Sequence, residues 1–523
     1  MKKTLLIAGL IIVVLAAAGT YYYWSLHQGT GKSVVKRDLL TIGVKGDILG
    51  FQPKMTGYET PTQSVNFNIF NSLVEFDRSY KIVPALAESW SNPDNLTWRF
   101  YLRHGVKFQN GDDFTAADVK FTIDYMINDP TNVLKDLLSP VDKVTVVDDY
   151  TVDIKTKAPT PVLLNKLVDI FIMPKRYPEI PADQWPVGTG AYKLKEYVKG
   201  DHITMERFDG YWKGAMPVKT VILKIIPDDV ARTNALINGQ VDIAEQITQE
   251  GFQALQGNKK IIPVTIPSTR IIYLSFDFRK KNSIGFDGNQ NPTADVRVRK
   301  AMYEAIDENY IIKNIMNDMA VPVSQFVSSD IFGYNPKITR LPYNLNDAKK
   351  LMAEAGYADG FNIKLDCPNN RYINDEAICK DVARQLKDIK INVTVDAVPK
   401  TDFFPKVINR TTAFYLLGWT ADTADGGEIF DYLLHTVDSK GVYGGYNGGL
   451  YSNPEVDRLG EASAQTLNPL DRLQLIQQGF QVAMDDVAWI PLHAQKLLFG
   501  VSAAVNWEPR SDEKIKIQDI SFK

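Results

Sequence analysis

A strand–helix–strand pattern between residues 361 and 398 limits the fold more than any other stretch of the chain. It reads FNIKLD (361–366), then DEAICKDVARQL (375–386), then INVTVDAV (391–398). The two outer runs are typical of strands and the middle run is typical of a helix. A helix between two strands at this spacing implies that the strands pair in parallel through a right-handed crossover. The sequence therefore predicts an α/β fold.

Two polar segments follow predicted strands and mark where a ligand would bind. FYLLGW (414–419) predicts a further strand that ends at Trp419. In open α/β sheets, ligands bind beyond the carboxyl ends of the strands. CPNNRY (367–372) and TADTADGG (420–427) occupy such positions. We therefore expect Asp422 to lie at a site-forming edge of the sheet.

Strand and helix patterns alternate along the rest of the chain, which favours mixed α/β layers over a bundle or a sandwich. TWRFYLR (97–103) predicts a half-buried strand. Thr115 followed by Asp118 predicts a helix start with a capping box. VTVVDDYTVDIKT (144–156) predicts a hairpin that turns at residues 148–149, and VRVRKAMYEAID (296–307) predicts an amphipathic helix.

The N-terminal segment, residues 1–24, predicts export from the cytoplasm. A Met-Lys-Lys start is followed by an uninterrupted apolar run over residues 4–19. Two interpretations remain open: a signal peptide cleaved after small residues 16–18, or an uncleaved membrane anchor closed by the aromatic residues 21–24. This segment has no cysteine, which excludes lipid attachment there. Residues 25–39 are interpreted as a linker.

The two cysteines, Cys367 and Cys379, leave a second question open. In an oxidising compartment they could form a disulfide. Cys379 also shares a helical face with Ala383 and Leu386, so a buried free thiol is the alternative.

Catalytic and metal-binding signatures are missing from the sequence. It contains no GxSxG, HExxH or GxGxxG motif and no cysteine–histidine cluster. The net charge is −3 and no long basic run occurs, which argues against a nucleic-acid partner. We predict no enzymatic activity, no cofactor and no metal.

Asp422 and Asp425 follow Trp419 closely and allow two interpretations. A pair of carboxylates could serve a glycosidase, but nothing in the sequence identifies a sugar cleft. A binding role suits these residues better, because a carboxylate in a partly dry cleft attracts an ammonium group and Trp419 offers a flat apolar wall. Asp425 is interpreted as a turn former or helix N-cap ahead of EIFDYLL (428–434).

Seven segments in register identify the chain as similar to one family. It resembles the large extracytoplasmic solute-binding proteins of ABC importers, family 5, the oligopeptide, dipeptide and nickel-binding type. The segments that carry the resemblance are PALAESWSNPDNLTWRFYLRHGVKFQNGDDFTAADVKFTID (84–124), VGTGAYKL (187–194), RFDGYW (207–212), IPDDVARTNALINGQVDIA (226–244), VRVRKAMYEAID (296–307), GWTADTAD (418–425) and YSNPEVDRL (451–459).

This resemblance implies a two-lobed periplasmic-binding-protein-like fold, the large type II form, whose lobes close on a central cleft by a hinge. Lobe one would comprise residues 40–75, 187–278 and 490–523, with 76–186 as an inserted subdomain. Lobe two would comprise residues 279–489. The crossings between lobes would then fall near FDFRKKN (276–282) and AWIPLH (488–493). The protein would act as an extracytoplasmic, periplasmic monomer that delivers its ligand to permease subunits in the membrane.

The resemblance also implies a ligand and a site. In peptide-binding members, the aspartate of a Trp-x-x-Asp motif binds the α-ammonium of the ligand, and here that pattern is Trp419-Thr420-Ala421-Asp422. The ligand would be a short peptide with a free N-terminus; a metal chelate, haem, an oligosaccharide or an opine is the alternative. Further residues expected to line the cleft are Arg270, Tyr273, Asn370, Arg371 and Tyr446.

Two positions depart from the family pattern. Many members have Asp-Pro where this chain has Asp425-Gly426, which predicts a freer turn. Some oligopeptide binders have arginine where this chain has Leu416, so recognition of the ligand's carboxyl end is expected to differ.

Overall fold

The computed structural model describes residues 37–55, 60–181, 185–281, 283–284, 290–439 and 441–523. The strands in these residues are β1 (Leu39–Val44), β2 (Val74–Phe76), β3 (Ile82–Pro84), β4 (Ala87–Asp94), β5 (Thr97–Leu102), β6 (Val141–Asp148), β7 (Thr151–Thr156), β8 (Tyr192–Val198), β9 (His202–Arg207), β10 (Thr220–Ile225), β11 (Ile243–Ala244), β12 (Ile261–Phe276), β13 (Ala320–Pro322), β14 (Phe361–Pro368), β15 (Ile391–Val398), β16 (Phe414–Trp419), β17 (Trp489–Ser502), β18 (Val505–Asn506) and β19 (Ser521–Phe522).

The helices in the same residues are α1 (Thr60–Ile69), α2 (Ala116–Asn128), α3 (Lys135–Leu138), α4 (Leu163–Leu167), α5 (Asp229–Ile237), α6 (Gln249–Leu255), α7 (Val296–Glu304), α8 (Glu308–Tyr310), α9 (Leu345–Glu354), α10 (Asp375–Leu386), α11 (Lys400–Ile408), α12 (Gly427–Ile429), α13 (Pro454–Gln465) and α14 (Pro469–Asp485). Two π-helical segments, Ile311–Ile315 and Phe430–Leu434, continue α8 and α12.

The strand–helix–strand unit predicted from the sequence is confirmed. β14 pairs in parallel with β15 over their whole lengths, from Phe361 opposite Ile391 to Pro368 opposite Val398, and α10 connects them. β16 also pairs in parallel with β14. The carboxyl ends of β14 and β16 therefore lie at one edge of the sheet.

The predicted start of α2 is confirmed as well. The carboxylate of Asp118 accepts hydrogen bonds from the backbone N–H and the hydroxyl of Thr115, at 2.8 and 3.0 Å. This capping box satisfies donors that the first turn of a helix leaves open. The helix belongs to a segment whose four-stranded antiparallel sheet has the order β4-β5-β7-β6.

A mixed sheet runs through the rest of the protein in the order β15-β14-β16-β12-β17-β11-β1-β10-β9-β8, with β13 paired to β17. The long strands β12 and β17 pair in antiparallel fashion from Ile261 opposite Ser502 to Ser275 opposite Trp489. They join the half of the sheet that contains β1 and β8–β11 to the half that contains β14–β16. Their register shifts between Pro267 and Ile271, so the ladder is interrupted at residues 268–270.

Cys367 and Cys379 are joined by a disulfide, which resolves the alternatives that the sequence left open. Cys367 lies on β14 and Cys379 on α10, and both side chains are fully buried. The bond fastens the helix of the crossover to its first strand.

None of the helices that the structure describes is long and apolar enough to cross a bilayer. Residues 1–24, for which the sequence predicts a signal peptide or an anchor, lie outside the described residues.

Candidate functional site

The interrupted ladder of β12 forms part of the wall of a cleft. Trp419, the last residue of β16, pairs with Ile271 of β12, so the chain beyond β16 passes beside Arg270. We call the resulting cavity of about 110 Å³ the main cleft. Its lining residues come from six parts of the chain: Thr60 and Gln63, Phe76 and Tyr80, Asp169, Ser268–Arg270, Thr420–Asp422 and Ser511–Lys514.

Asp422 presents a free carboxylate to the main cleft. Its side chain is exposed, and no hydrogen bond or ion pair reaches its carboxylate from any residue that the structure describes. Partial desolvation between the cleft walls raises the pKa of the Asp422 carboxyl above its ordinary value, while the positive charges of Arg270 and Lys514 oppose this shift. The position matches the prediction that Asp422 lies at a site-forming edge.

Asp425 differs from Asp422 in its burial and in its hydrogen bonds. It is buried, and its two oxygens accept hydrogen bonds from the guanidinium of Arg472 at 2.5 and 2.7 Å. One of these oxygens also accepts from the backbone N–H of Gly427 at 2.8 Å, ahead of α12. The interpretation of Asp425 as a turn former agrees with this contact, whereas its ion pair with Arg472 could not be predicted from the sequence.

The turn after Asp425 is not freer for lacking proline. The backbone N–H of Gly426 donates to the carbonyl oxygen of Phe332 at 2.7 Å. A Cβ atom on Gly426 would approach that oxygen to 2.9 Å and the ring of Phe480 to 3.0 Å. Packing and this hydrogen bond therefore fix the turn, and proline, which has no N–H, could not donate it.

Two arginines bring unpaired positive charge to the same region. Neither the Arg270 nor the Arg371 guanidinium forms an ion pair with a described residue, although Arg371 lies over the ring of Tyr372 at 5.2 Å. Partial burial, followed by repulsion from Arg270, lowers the pKa of Arg371. Burial raises the pKa of Glu513, and both arginines oppose that rise. The two guanidinium groups therefore repel each other and both attract the Glu513 carboxylate.

Two other residues predicted for the cleft, Asn370 and Tyr273, have different surroundings. Asn370 is exposed, but its side-chain oxygen accepts a hydrogen bond from the backbone N–H of Lys400 at 2.8 Å and so fastens its own loop. Tyr273 is completely buried and stacks on Trp489 with ring centroids 3.5 Å apart. The structure thus places Tyr273 in the core and not on the cleft wall, because this part of β12 is covered on both faces.

Trp419 and Tyr446 line a second cavity, of about 340 Å³, which we call the second chamber. Their rings lie 5.1 Å apart, and Tyr432 joins them at 5.9 Å from Trp419. Asp422 lies between the two cavities and lines both. The other charged residues on the wall of the second chamber are Asp136, Lys166, Asp425, Glu428, Asp431 and Arg472.

The carboxylates of the second chamber are strongly perturbed. Burial, with repulsion from Asp422, raises the pKa of Glu428 to about 7. Burial also raises the pKa of Asp431 to about 6, against the attraction of Lys166. These residues and the Asp512–Lys514 wall of the main cleft could not be predicted from the sequence, because charged residues in short helices and loops have the pattern of an ordinary solvated surface.

Comparison with known proteins places this chain in a family. The family model described as "Bacterial extracellular solute-binding proteins, family 5 Middle" matches residues 81–441. The glutathione-binding protein GsiB of Salmonella paratyphi A is 28% identical over 454 residues, which cover 84% of this chain and 86% of that protein.

Solved structures share the fold. HbpA2 from Haemophilus parasuis superposes with a TM-score of 0.81 at 21% identity, covering 93% of this chain and 100% of the other. DppA from Helicobacter pylori, an ABC transporter-associated periplasmic binding protein in complex with the peptide STSA, superposes with a TM-score of 0.70 at 21% identity, covering 93% and 99%. The two-lobed fold of the periplasmic binding proteins is therefore shared, and the chain belongs to family 5 of the extracellular solute-binding proteins, the substrate-binding components of ABC importers.

Proposed function

We propose that this protein captures short peptides by their free α-amino group, which binds Asp422, and delivers them to a membrane permease. One observation carries the proposal: the Asp422 carboxylate faces the main cleft without a partner among the described residues. An unpaired carboxylate in a partly desolvated cleft attracts an ammonium strongly, since the hydrogen bond is charge-assisted and the local dielectric is low.

The opposite charges near Asp422 suit the other end of a zwitterionic peptide. Arg270 lies on the wall of the main cleft, and Arg371 is close enough to repel it. A ligand carboxylate between these two guanidinium groups would add to the attraction of the nearby Glu513 carboxyl and would offset the repulsion between the two arginines. Leu416 is buried in β16 opposite Leu274, so it plays no part in this recognition.

We further propose that the lobes have the boundaries expected from the sequence, residues 40–75, 187–278 and 490–523 for lobe one, 76–186 for its subdomain and 279–489 for lobe two. The register shift at residues 268–270 suggests where β12 bends when the lobes close, because an interrupted ladder yields more readily than a regular one.

We infer that the protein is a monomer, catalyses no reaction and works outside the cytoplasm. The export segment at residues 1–24 and the membership of an extracellular binding family support a binding role outside the cytoplasm. An uncleaved anchor would keep the protein close to its permease, because tethering raises the effective concentration of one partner near the other.

Native mass spectrometry of protein incubated with a proteolytic digest tests this function. We expect bound masses of short peptides, and loss of those masses from the Asp422→Asn variant. Asp142→Asn, an exposed substitution on β6, serves as the matched control. If no peptide is retained and a sugar, haem, opine or metal chelate co-purifies instead, the peptide assignment is wrong and the same fold serves another solute.

A further inference from the structure

The second chamber contains aromatic rings and carboxylates beyond the Asp422 carboxylate that would bind the α-amine of a peptide. Trp419, Tyr432 and Tyr446 present three aromatic rings to it, with centroids 5.1 to 6.3 Å apart. Aromatic faces carry negative electrostatic potential and attract cations. The indole nitrogen of Trp419 is buried, and its N–H meets no acceptor in the described part of the chain. Three rings converging on one cavity suit a positively charged group.

The charges on the wall point the same way. Among the described lining residues, Asp136, Asp422, Glu428 and Asp431 face a single ammonium, that of Lys166, because Arg472 is already paired with Asp425. The negative charges therefore exceed the positive ones on the wall of the second chamber.

Asp431 places a further carboxylate on the wall of the second chamber. It follows α12 in the π-helical segment, and its side chain lines the chamber from within the protein. Its carboxylate receives no hydrogen bond or ion pair from any residue in the described ranges, and Lys166 acts on it only at a distance. A half-buried carboxylate without a partner loses part of its hydration, and a cation bound beside it would compensate for that loss.

The geometry favours an organic cation over a metal ion. No group of three or more His, Cys, Asp or Glu side chains in the described residues is arranged to hold a metal. The chamber, at about 340 Å³, is large enough for a long basic side chain. A chain of methylene groups could pass the aromatic rings while its charged end reaches Asp431.

We propose that the second chamber binds a second positive charge of the ligand, the ammonium or guanidinium of a basic side chain next to the α-amine held by Asp422. This inference rests on the proposed function, and it narrows the ligands to peptides with lysine, arginine or a similar residue at the N-terminal position. Asp431 and the three rings then provide specificity for a basic side chain, while Asp422 binds the α-amine that all peptides with a free N-terminus have.

Calorimetric titration with two matched tripeptides tests the inference. Lys-Ala-Ala and norleucine-Ala-Ala differ at the first side chain by the charged amine and little else. We expect wild-type protein to bind the lysine peptide about tenfold more tightly or better. Asp431→Asn should reduce this preference to about threefold or less, because it removes the negative charge that the lysine ammonium would meet in the chamber, and the norleucine peptide measures any general loss of binding in the same variant.

A second variant distinguishes loss of the cation site from a folding defect caused by the Asp431 substitution. Tyr446→Leu removes one exposed ring, and it should also weaken the lysine peptide selectively. If the norleucine peptide binds in an Asp422-dependent manner and the lysine peptide binds no better, the second cation site is wrong while the proposed function stands. An unchanged lysine preference in both variants would equally overturn it, and failure of both peptides to bind would overturn both proposals.

Discussion

Replacing Asp425 with asparagine should destabilise the protein severely without removing its binding group. Asp425 and Arg472 are 3% and 5% exposed, and two hydrogen bonds join them. Asparagine keeps the shape of aspartate and can still accept from the N–H of Gly427, so the change removes mainly the charge. Arg472 would then be buried without a counter-ion, which costs about 3–5 kcal/mol of the free energy of unfolding.

Urea unfolding followed by far-ultraviolet circular dichroism measures this loss. Asp422→Asn is the matched control, since it removes the same charge from a carboxylate that has no described partner. We expect that variant to stay within about 0.5 kcal/mol of wild type. A loss below about 1 kcal/mol for Asp425→Asn, or an equal loss for both variants, would refute the division of roles between the two aspartates. Arg472→Met combined with Asp425→Asn should recover part of the loss, because the orphaned charge is gone.

Three further predictions concern stability. Burial raises the pKa of Glu428 to about 7 in the folded protein, above its value in the unfolded chain. Protonation of Glu428 therefore stabilises the folded state fully below about pH 4.5, and this stabilisation is lost as the pH rises through 7. Between pH 4.5 and 8 the wild type should therefore lose about 3 kcal/mol relative to Glu428→Gln, measured as the difference in free energy of unfolding; parallel pH profiles would contradict this. Reducing the Cys367–Cys379 bond, which closes a loop of 12 residues, should lower the free energy of unfolding by about 2–3 kcal/mol, and an unchanged urea midpoint under reducing conditions would count against it. Gly426→Pro should cost about 1–3 kcal/mol in the same assay, because the hydrogen bond to Phe332 is lost; a variant as stable as wild type would show that this bond does not fix the turn.

The sequence predicted those parts of the fold that local patterns determine. The crossover from β14 to β15 was predictable because its period changes from strand to helix and back within 38 residues. The capping box of Thr115 and Asp118 was predictable because its two partners are three residues apart. The position of Asp422 beyond the end of β16 was predictable because the apolar run of that strand ends at Trp419.

Contacts between distant segments could not be predicted in this way. Arg472 reaches Asp425 from 47 residues further along the chain, and no periodic pattern connects them. Tyr273 lies in a part of β12 that is buried on both faces, so alternation gave no indication of which residues face the cleft. The second chamber depends on α3 and α4 approaching the segment after β16, which only the tertiary structure shows.

Binding of a peptide's free α-amine by Asp422 can be measured by calorimetric titration of one peptide in two forms. A lysine-containing tripeptide should bind wild-type protein, and its N-acetylated form should bind more weakly by about 2–5 kcal/mol, or roughly 30-fold at the least. Asp422→Asn should lose a similar amount with the free peptide and little more with the acetylated one. Equal affinity of the free and acetylated peptides for wild type, or of the free peptide for wild type and Asp422→Asn, would show that Asp422 does not bind the α-amine.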